Sequence, residues 1–242
     1  MRTIIPLAGK DARFEKLGIY KPLIMLGDKP LIYRVVASNK FPLEKLYFVV
    51  LFEHEHKYNV SRKLKKFFGN STTVAVIDKV CEGAPNSILE AKEIVSTNEG
   101  ILIDLGDIIR ELPNMAIDIS SHRYSGIIPI DRNHVSNVWG YVVMSEGAVV
   151  QLKEKSLEKI KGGATMGLYY FSSGNEFIRY TTEMISQNKR VEYTHMFYVG
   201  PVYNQYLAAK KDIGVSHSKI IHTLGSPEEI SSYIDHLEKT PK

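Results

Sequence analysis

The chain has 242 residues, 44% hydrophobic and 24% charged, and its 31 Lys plus Arg against 27 Asp plus Glu leave a formal net charge of +4. That length suits one large α/β domain, and so mild a charge balance excludes the footprint of a nucleic-acid-binding protein. A lone cysteine, Cys81, excludes an internal disulfide and a cysteine-only zinc site; with no apolar run of roughly 20 residues and no start shaped like a signal peptide, a soluble protein of the reducing cytoplasm is expected.

Residues 2–7 are apolar on both faces, as a buried parallel strand requires. Pro30 suits the first turn of a helix carrying Leu31, Ile32, Val35 and Val36 at helical spacing. A second strand is predicted over 45–52, an amphipathic helix over about 57–68, a third strand over 72–78 and a helix over 84–95. A fourth strand, 100–107, ends in acid at Asp107. Such alternation predicts a doubly wound sheet.

After Asp107 the rhythm changes. Strands are predicted over 125–130, 139–144 and 148–152, the last two joined by the tight turn Ser145-Glu146-Gly147, and another over 164–171. Helices over about 175–187 and 201–211 precede a strand over 213–224. The last helix opens on Ser226, Pro227 and Glu229, which together form a capping box. No repeat, low-complexity tract or linker interrupts the chain, so one domain is expected.

The run Ile4-Ile5-Pro6-Leu7-Ala8-Gly9-Lys10-Asp11-Ala12-Arg13-Phe14, followed by Lys21-Pro22-Leu23, delivers backbone N–H groups and cations to the carboxyl edge of a sheet, where phosphate can be held. It resembles the signature of the sugar-phosphate nucleotidyltransferases, the NDP-sugar pyrophosphorylase type. Ala8-Gly9, Arg13-Phe14, Lys21-Pro22-Leu23 and Gly27-Asp28-Lys29-Pro30-Leu31 match it; Asp11 stands where that family has glycine. Further segments match in the same order: Glu82-Gly83-Ala84, Trp139-Gly140-Tyr141, Glu154-Lys155, 164–171, 195–204 and 224–229.

The resemblance implies a glycosyltransferase-A-like, Rossmann-like three-layer α/β sandwich with a mixed, mainly parallel sheet, residues 1–110 binding nucleotide and 111–242 the sugar phosphate. It implies nucleotidyl transfer from an NTP to a sugar 1-phosphate or related monoester, giving NDP-sugar and pyrophosphate for polysaccharide or glycoconjugate synthesis. Arg13 and Lys21 would grip the triphosphate, on a loop of Leu7, Ala8, Gly9, Lys10 and Asp11. Asp107 would hold Mg²⁺, with Asp104 behind it; the structural alternative is that Asp107 caps the following turn. Tyr141, Glu154, Lys155, Gly167 and Tyr169 would face the sugar phosphate, Lys155 on its phosphate and Glu154 on its hydroxyls.

Glu82 replaces the glutamine that reads the base in the family. A carboxylate only accepts hydrogen bonds, which suits the amino group of cytosine or adenine and leans to CTP; equally, Glu82 simply favours a helix N-terminus. Met196 occupies the place of a second acidic metal ligand, a role open to His195, Glu192 or Asp11. Glu53-His54-Glu55-His56, just after the second strand, reads as solvated rather than zinc-binding, and Arg62, Lys63, Lys65 and Lys66 as one solvated helix face. Two alternatives stand beside the enzyme reading: a glycosyltransferase using Asp104 and Asp107 as an acidic pair, and a nucleotide-binding regulatory domain without turnover. Either leaves room for an oligomer.

Overall fold

A computed structural model describes residues 1–41, 45–134, 139–155, 162–192 and 194–239. Its first strands are β1 (Arg2–Pro6), β2 (Met25–Leu26), β3 (Lys29–Pro30), β4 (Leu46–Leu51), β5 (Thr73–Ile77), β6 (Ile101–Asp104) and β7 (Ile108–Glu111). They are followed by β8 (Gly126–Asp131), β9 (Gly140–Ser145), β10 (Ala148–Glu154), β11 (Ala164–Thr165), β12 (Leu168–Phe171), β13 (Ile213–His217) and β14 (Lys219–Thr223).

One 10-stranded sheet runs β10-β9-β11-β8-β12-β6-β1-β4-β5, with β13 added beside β8. Strands β5, β4, β1, β6, β8, β13 and β9 run in one sense, and β12, β11 and β10 in the other. The expected mixed, mainly parallel sheet is therefore present.

Ile4 and Ile5 are adjacent and fully buried, yet they enter different cores, because successive side chains of a strand point to opposite faces. On the Ile4 face the sheet packs against helices Ala84–Glu90, Gly174–Ser186 and Val202–Ala208 through Ile88, Phe177, Tyr180 and Tyr206. On the Ile5 face it packs against helices Leu31–Ser38 and Val60–Phe68 through Ile32, Val36, Val60 and Leu64. Each fully buried aliphatic side chain contributes about 1.5–3 kcal/mol of transfer free energy, so these two layers fix the register of β1 and with it the loop that leaves its end.

Several elements differ from their predicted extent for identifiable reasons. The 57–68 helix is two, Phe52–Tyr58 and Val60–Phe68, because Asn59 adopts a left-handed conformation (φ 51°). Glu53-His54-Glu55-His56 thus lies in a helix and is not solvated throughout, with His54 buried against Tyr20 and Glu55 accepting from Ser61. The 164–171 strand is split by Gly167 at φ +66°, a conformation that costs glycine nothing and other residues strain.

The fourth strand stops at Asp104, and Asp107 stands in the turn beyond it. The 213–224 strand divides at Ser218: its first part joins β8, and its second leaves the sheet to pair with β7. Helix Met115–Ser120, buried through Met115, was not anticipated from its short, weakly patterned sequence. The capping box is formed as read, with Glu229 N–H donating to Ser226 Oγ (3.3 Å) and Ser226 N–H to Glu229 Oε2 (2.9 Å).

Candidate active site

The turn after β6 is built on a buried carboxylate. Asp104 accepts from Arg110 Nη2 (2.9 Å), Asn39 Nδ2 (2.6 Å) and the Gly106 N–H (2.9 Å), and both it and the Arg110 side chain are fully excluded from solvent. Asp104 is thereby committed to holding the turn. Asp107 emerges from that turn with its side chain 33% exposed and Oδ2 3.5 Å from Lys21 Nζ. Its carbonyl accepts from Leu224 N–H at 2.8 Å, which brings the end of β14 alongside.

The loop after β1 reaches the same place from the other side. Asp11 caps the short helix Ala12–Glu15, accepting from Arg13 N–H (3.1 Å), and also receives the Arg13 guanidinium through Nε (2.9 Å) and Nη2 (2.7 Å). These bonds from Arg13, with the charge of Lys21 nearby, hold the Asp11 carboxyl below the usual carboxylate range. Arg13 Nη2 also donates to the Gly225 carbonyl at 2.8 Å, across 212 positions of chain. Lys10 pairs with Glu53. Lys10, Arg13 and Lys21 thus each have a carboxylate partner: Glu53, Asp11 and Asp107 respectively.

Arg13, Lys21 and Asp107 line one cleft of about 550 Å³ together with Asp11, Glu154, Lys155, Gly167 and Tyr169. Glu154 is partly buried against the backbone: a Cβ added at Gly140 would lie 2.6 Å from its Oε1, and one at Gly200 2.8 Å. Desolvation pushes its carboxyl up to about 7, opposed by the charge of Lys155 and a hydrogen bond with Tyr169. Tyr169 is buried, which raises its phenol well above the usual value, and its hydroxyl lies 3.2 Å from Thr165 Oγ1. Lys155 has a left-handed backbone (φ 49°), and its Nζ lies 5.8 Å from the Tyr198 ring centroid.

Leu7, Gly9 and Lys10 line a smaller recess of about 180 Å³ that shares Asp11, Lys21 and Leu105 with the main cleft. Ala8 is buried in the core, and Tyr141 is buried in the sheet between its partners Lys153 and Ala164; neither lines these clefts. Glu82, Gly83 and Ala84 also stand outside them. Glu82 Oε2 accepts from Arg190 Nη2 (2.8 Å), which lowers the Glu82 pKa, and its carbonyl accepts from Phe197 N–H. Glu192 and His195 line a separate cleft of about 950 Å³, bordering the first at Glu154 and Lys155, and so do not stand beside Asp107.

Sequence reasoning gave Glu229 only a capping role. It also lines the main cleft, where it accepts from Thr223 Oγ1 (2.6 Å) and Gly225 N–H (2.7 Å). The signal was the 224–229 motif, whose place beside Asp107 depends on β14 leaving the main sheet.

Among the described residues no three His, Cys, Asp or Glu side chains gather as a metal cage. Asp107 nonetheless fits a hard divalent cation: it is partly exposed and has one long ion-pair contact, whereas Asp11 and Glu229 are engaged through both oxygens. Mg²⁺ commonly takes one or two protein carboxylates and completes its shell with water and substrate phosphates.

A family model described as nucleotidyl transferase matches residues 8–212. The chain belongs to the nucleotidyl transferase family. A curated relative, the bifunctional protein GlmU of Methanococcus aeolicus, is 26% identical over 179 residues; the match spans 72% of this chain and 40% of that protein. Among solved structures, a nucleoside-diphosphate-sugar pyrophosphorylase from Vibrio cholerae superposes with a TM-score of 0.77 at 20% identity, covering 96% of this chain and 99% of that one. A UDP-glucose pyrophosphorylase solved with UDP-glucose gives 0.74 at 16% identity, covering 98% of each chain. These likenesses show that this member of the nucleotidyl transferase family shares its fold with sugar-nucleotide pyrophosphorylases. No helix among its described residues is long and apolar enough to cross a membrane.

Proposed function

We propose that this chain transfers an NMP group from an NTP to a sugar 1-phosphate, or a related phosphate monoester, giving an NDP-sugar and pyrophosphate for polysaccharide or glycoconjugate precursors in the cytoplasm. The observation that carries the reading is the meeting of Arg13, Lys21 and Asp107 in one cleft that Glu154 and Lys155 also line. Residues 1–110 supply the nucleotide side and 111–242 the acceptor side.

In this reading Arg13 and Lys21 leave their carboxylate partners for the triphosphate and neutralise charge on the α-phosphate and the departing pyrophosphate. Asp107 would hold Mg²⁺, which supplies further charge neutralisation at the phosphates. Lys155 receives the acceptor's phosphate, Glu154 and Tyr169 face its hydroxyls, and Gly167 leaves room for it. A monoester oxygen attacks the α-phosphorus in line while the α–β bridging P–O bond breaks and pyrophosphate departs. The acceptor is already ionised, so no protein nucleophile is required and positioning carries the rate.

CTP is the donor we place first. Glu82 stands outside the main cleft, ionised beside Arg190 through Oε2, and its Oε1 makes no hydrogen bond among the described residues, leaving an acceptor for the amino group of a base that extends beyond the cleft. A glycosyltransferase built on Asp104 and Asp107 is disfavoured, because Asp104 is sealed against Arg110 and does not face the cleft.

The test is pyrophosphate release with Mg²⁺ from each common NTP against a panel of phosphate monoesters. Release with a sugar 1-phosphate supports the reading. Nucleotide binding without release in any pairing would favour a regulatory domain, and preference for UTP or dTTP would reject the role given to Glu82.

A further inference from the structure

Asp11 binds the cation that the proposed reaction needs. Its two oxygens take Arg13 Nε and Nη2 at 2.9 and 2.7 Å, and the same guanidinium is tied to the Gly225 carbonyl at 2.8 Å. Arg13 therefore bridges the two sides of the cleft while it is neutralised by the residue two positions before it. A phosphate group that captures Arg13 must displace a bidentate carboxylate, the strongest arrangement available to a guanidinium. It also leaves Asp11 as an uncompensated anion lining the cleft beside an anionic ligand, where like charges repel. A divalent cation arriving with the ligand removes both penalties, since it carries positive charge to Asp11 and Asp107, which line the same cleft.

We propose that Asp11 is a specificity residue that restricts Arg13 to polyphosphates carrying a divalent cation, so that metal-free phosphates are rejected. The inference rests on the reading of this cleft as a triphosphate site and adds a coupling to it. Lys21 and Asp107 form a second ion pair at 3.5 Å, so Arg13 and Lys21 both change partners when metal and polyphosphate enter together.

Asp11→Asn separates this role from the structural one. Asparagine keeps an oxygen that can accept the Arg13 N–H and is as good a helix cap as aspartate, but it cannot hold the guanidinium by charge. Binding of inorganic tripolyphosphate is measured by calorimetry with excess Mg²⁺ and, separately, with a chelator, for wild type, Asp11→Asn and the double variant Asp11→Asn/Arg13→Gln. Loss of a charged hydrogen-bond competitor corresponds to about tenfold in affinity. The metal-free affinity of Asp11→Asn should rise by about that factor, the Mg²⁺ dependence should shrink accordingly, and the gain should vanish in the double variant. An unchanged ratio of metal-free to Mg²⁺ affinities in Asp11→Asn, or a gain that survives loss of Arg13, overturns the proposal alone. Failure of wild type to bind tripolyphosphate with Mg²⁺ overturns the triphosphate reading and this proposal with it.

Discussion

Arg110 and Asp104 form an ion pair at 2.9 Å in which neither side chain has any solvent exposure. Removing one partner of such a pair leaves an uncompensated buried charge, at a cost of about 3–5 kcal/mol. Asp104→Ala is therefore expected to lower the unfolding free energy by about that much in urea titrations. A paired Asp104→Leu/Arg110→Met replacement should recover part of the loss, because it leaves no stranded charge. An unchanged denaturation midpoint in Asp104→Ala would contradict the role assigned to this pair.

Glu154 gives the fold a pH dependence of known sign. Burial raises its carboxyl from 4.5 to about 7, so between those values the folded state holds a proton that the unfolded chain has released. The folded state is then favoured by protonation. Glu154 costs no stability below about pH 4.5 and becomes destabilising as pH rises through about 7. The difference in unfolding free energy between wild type and Glu154→Gln should accordingly grow in favour of the variant from pH 5 to pH 8. A constant difference across that range would show that the carboxyl is not desolvated.

Gly83 tests how the 82–84 segment is held. Its φ is +132°, and an added Cβ would lie 2.0 Å from the Phe197 carbonyl oxygen, a backbone atom that cannot rotate away. Gly83→Ala should destabilise by about 3 kcal/mol from backbone strain and overpacking together. Thermal unfolding provides the measurement, and a melting temperature equal to that of wild type would show that the segment relaxes freely.

Much of this arrangement was legible in the sequence, because strand cores and caps are local. The two-sided apolar run of 2–7 and the Ser226–Glu229 capping box signal their structures within a few residues, whereas the fourth strand, read to Asp107, stops at Asp104. The order of the motifs added the family, and Arg13, Lys21 and Asp107 do share a cleft. What could not be read depends on contacts distant in sequence. Nothing local shows that Asp104 would be sealed by Arg110 and Asn39, that Glu82 would be taken by Arg190, or that 213–224 would split between two sheets. Asp11 departs from the family's glycine in plain view, but its partner, two residues on, becomes evident only once the short helix it caps is formed.

The most direct test of the central claim is pyrophosphate release from NTP and a sugar 1-phosphate in the presence of Mg²⁺, compared between wild type and Asp107→Ala. Asp107 is partly exposed, and its ion pair with Lys21 is long, so the variant should fold with nearly wild-type stability. The account predicts steady release by wild type and a loss of at least about 100-fold in the variant, the scale on which a group stabilising transition-state charge acts. Equal rates in the two proteins would contradict it.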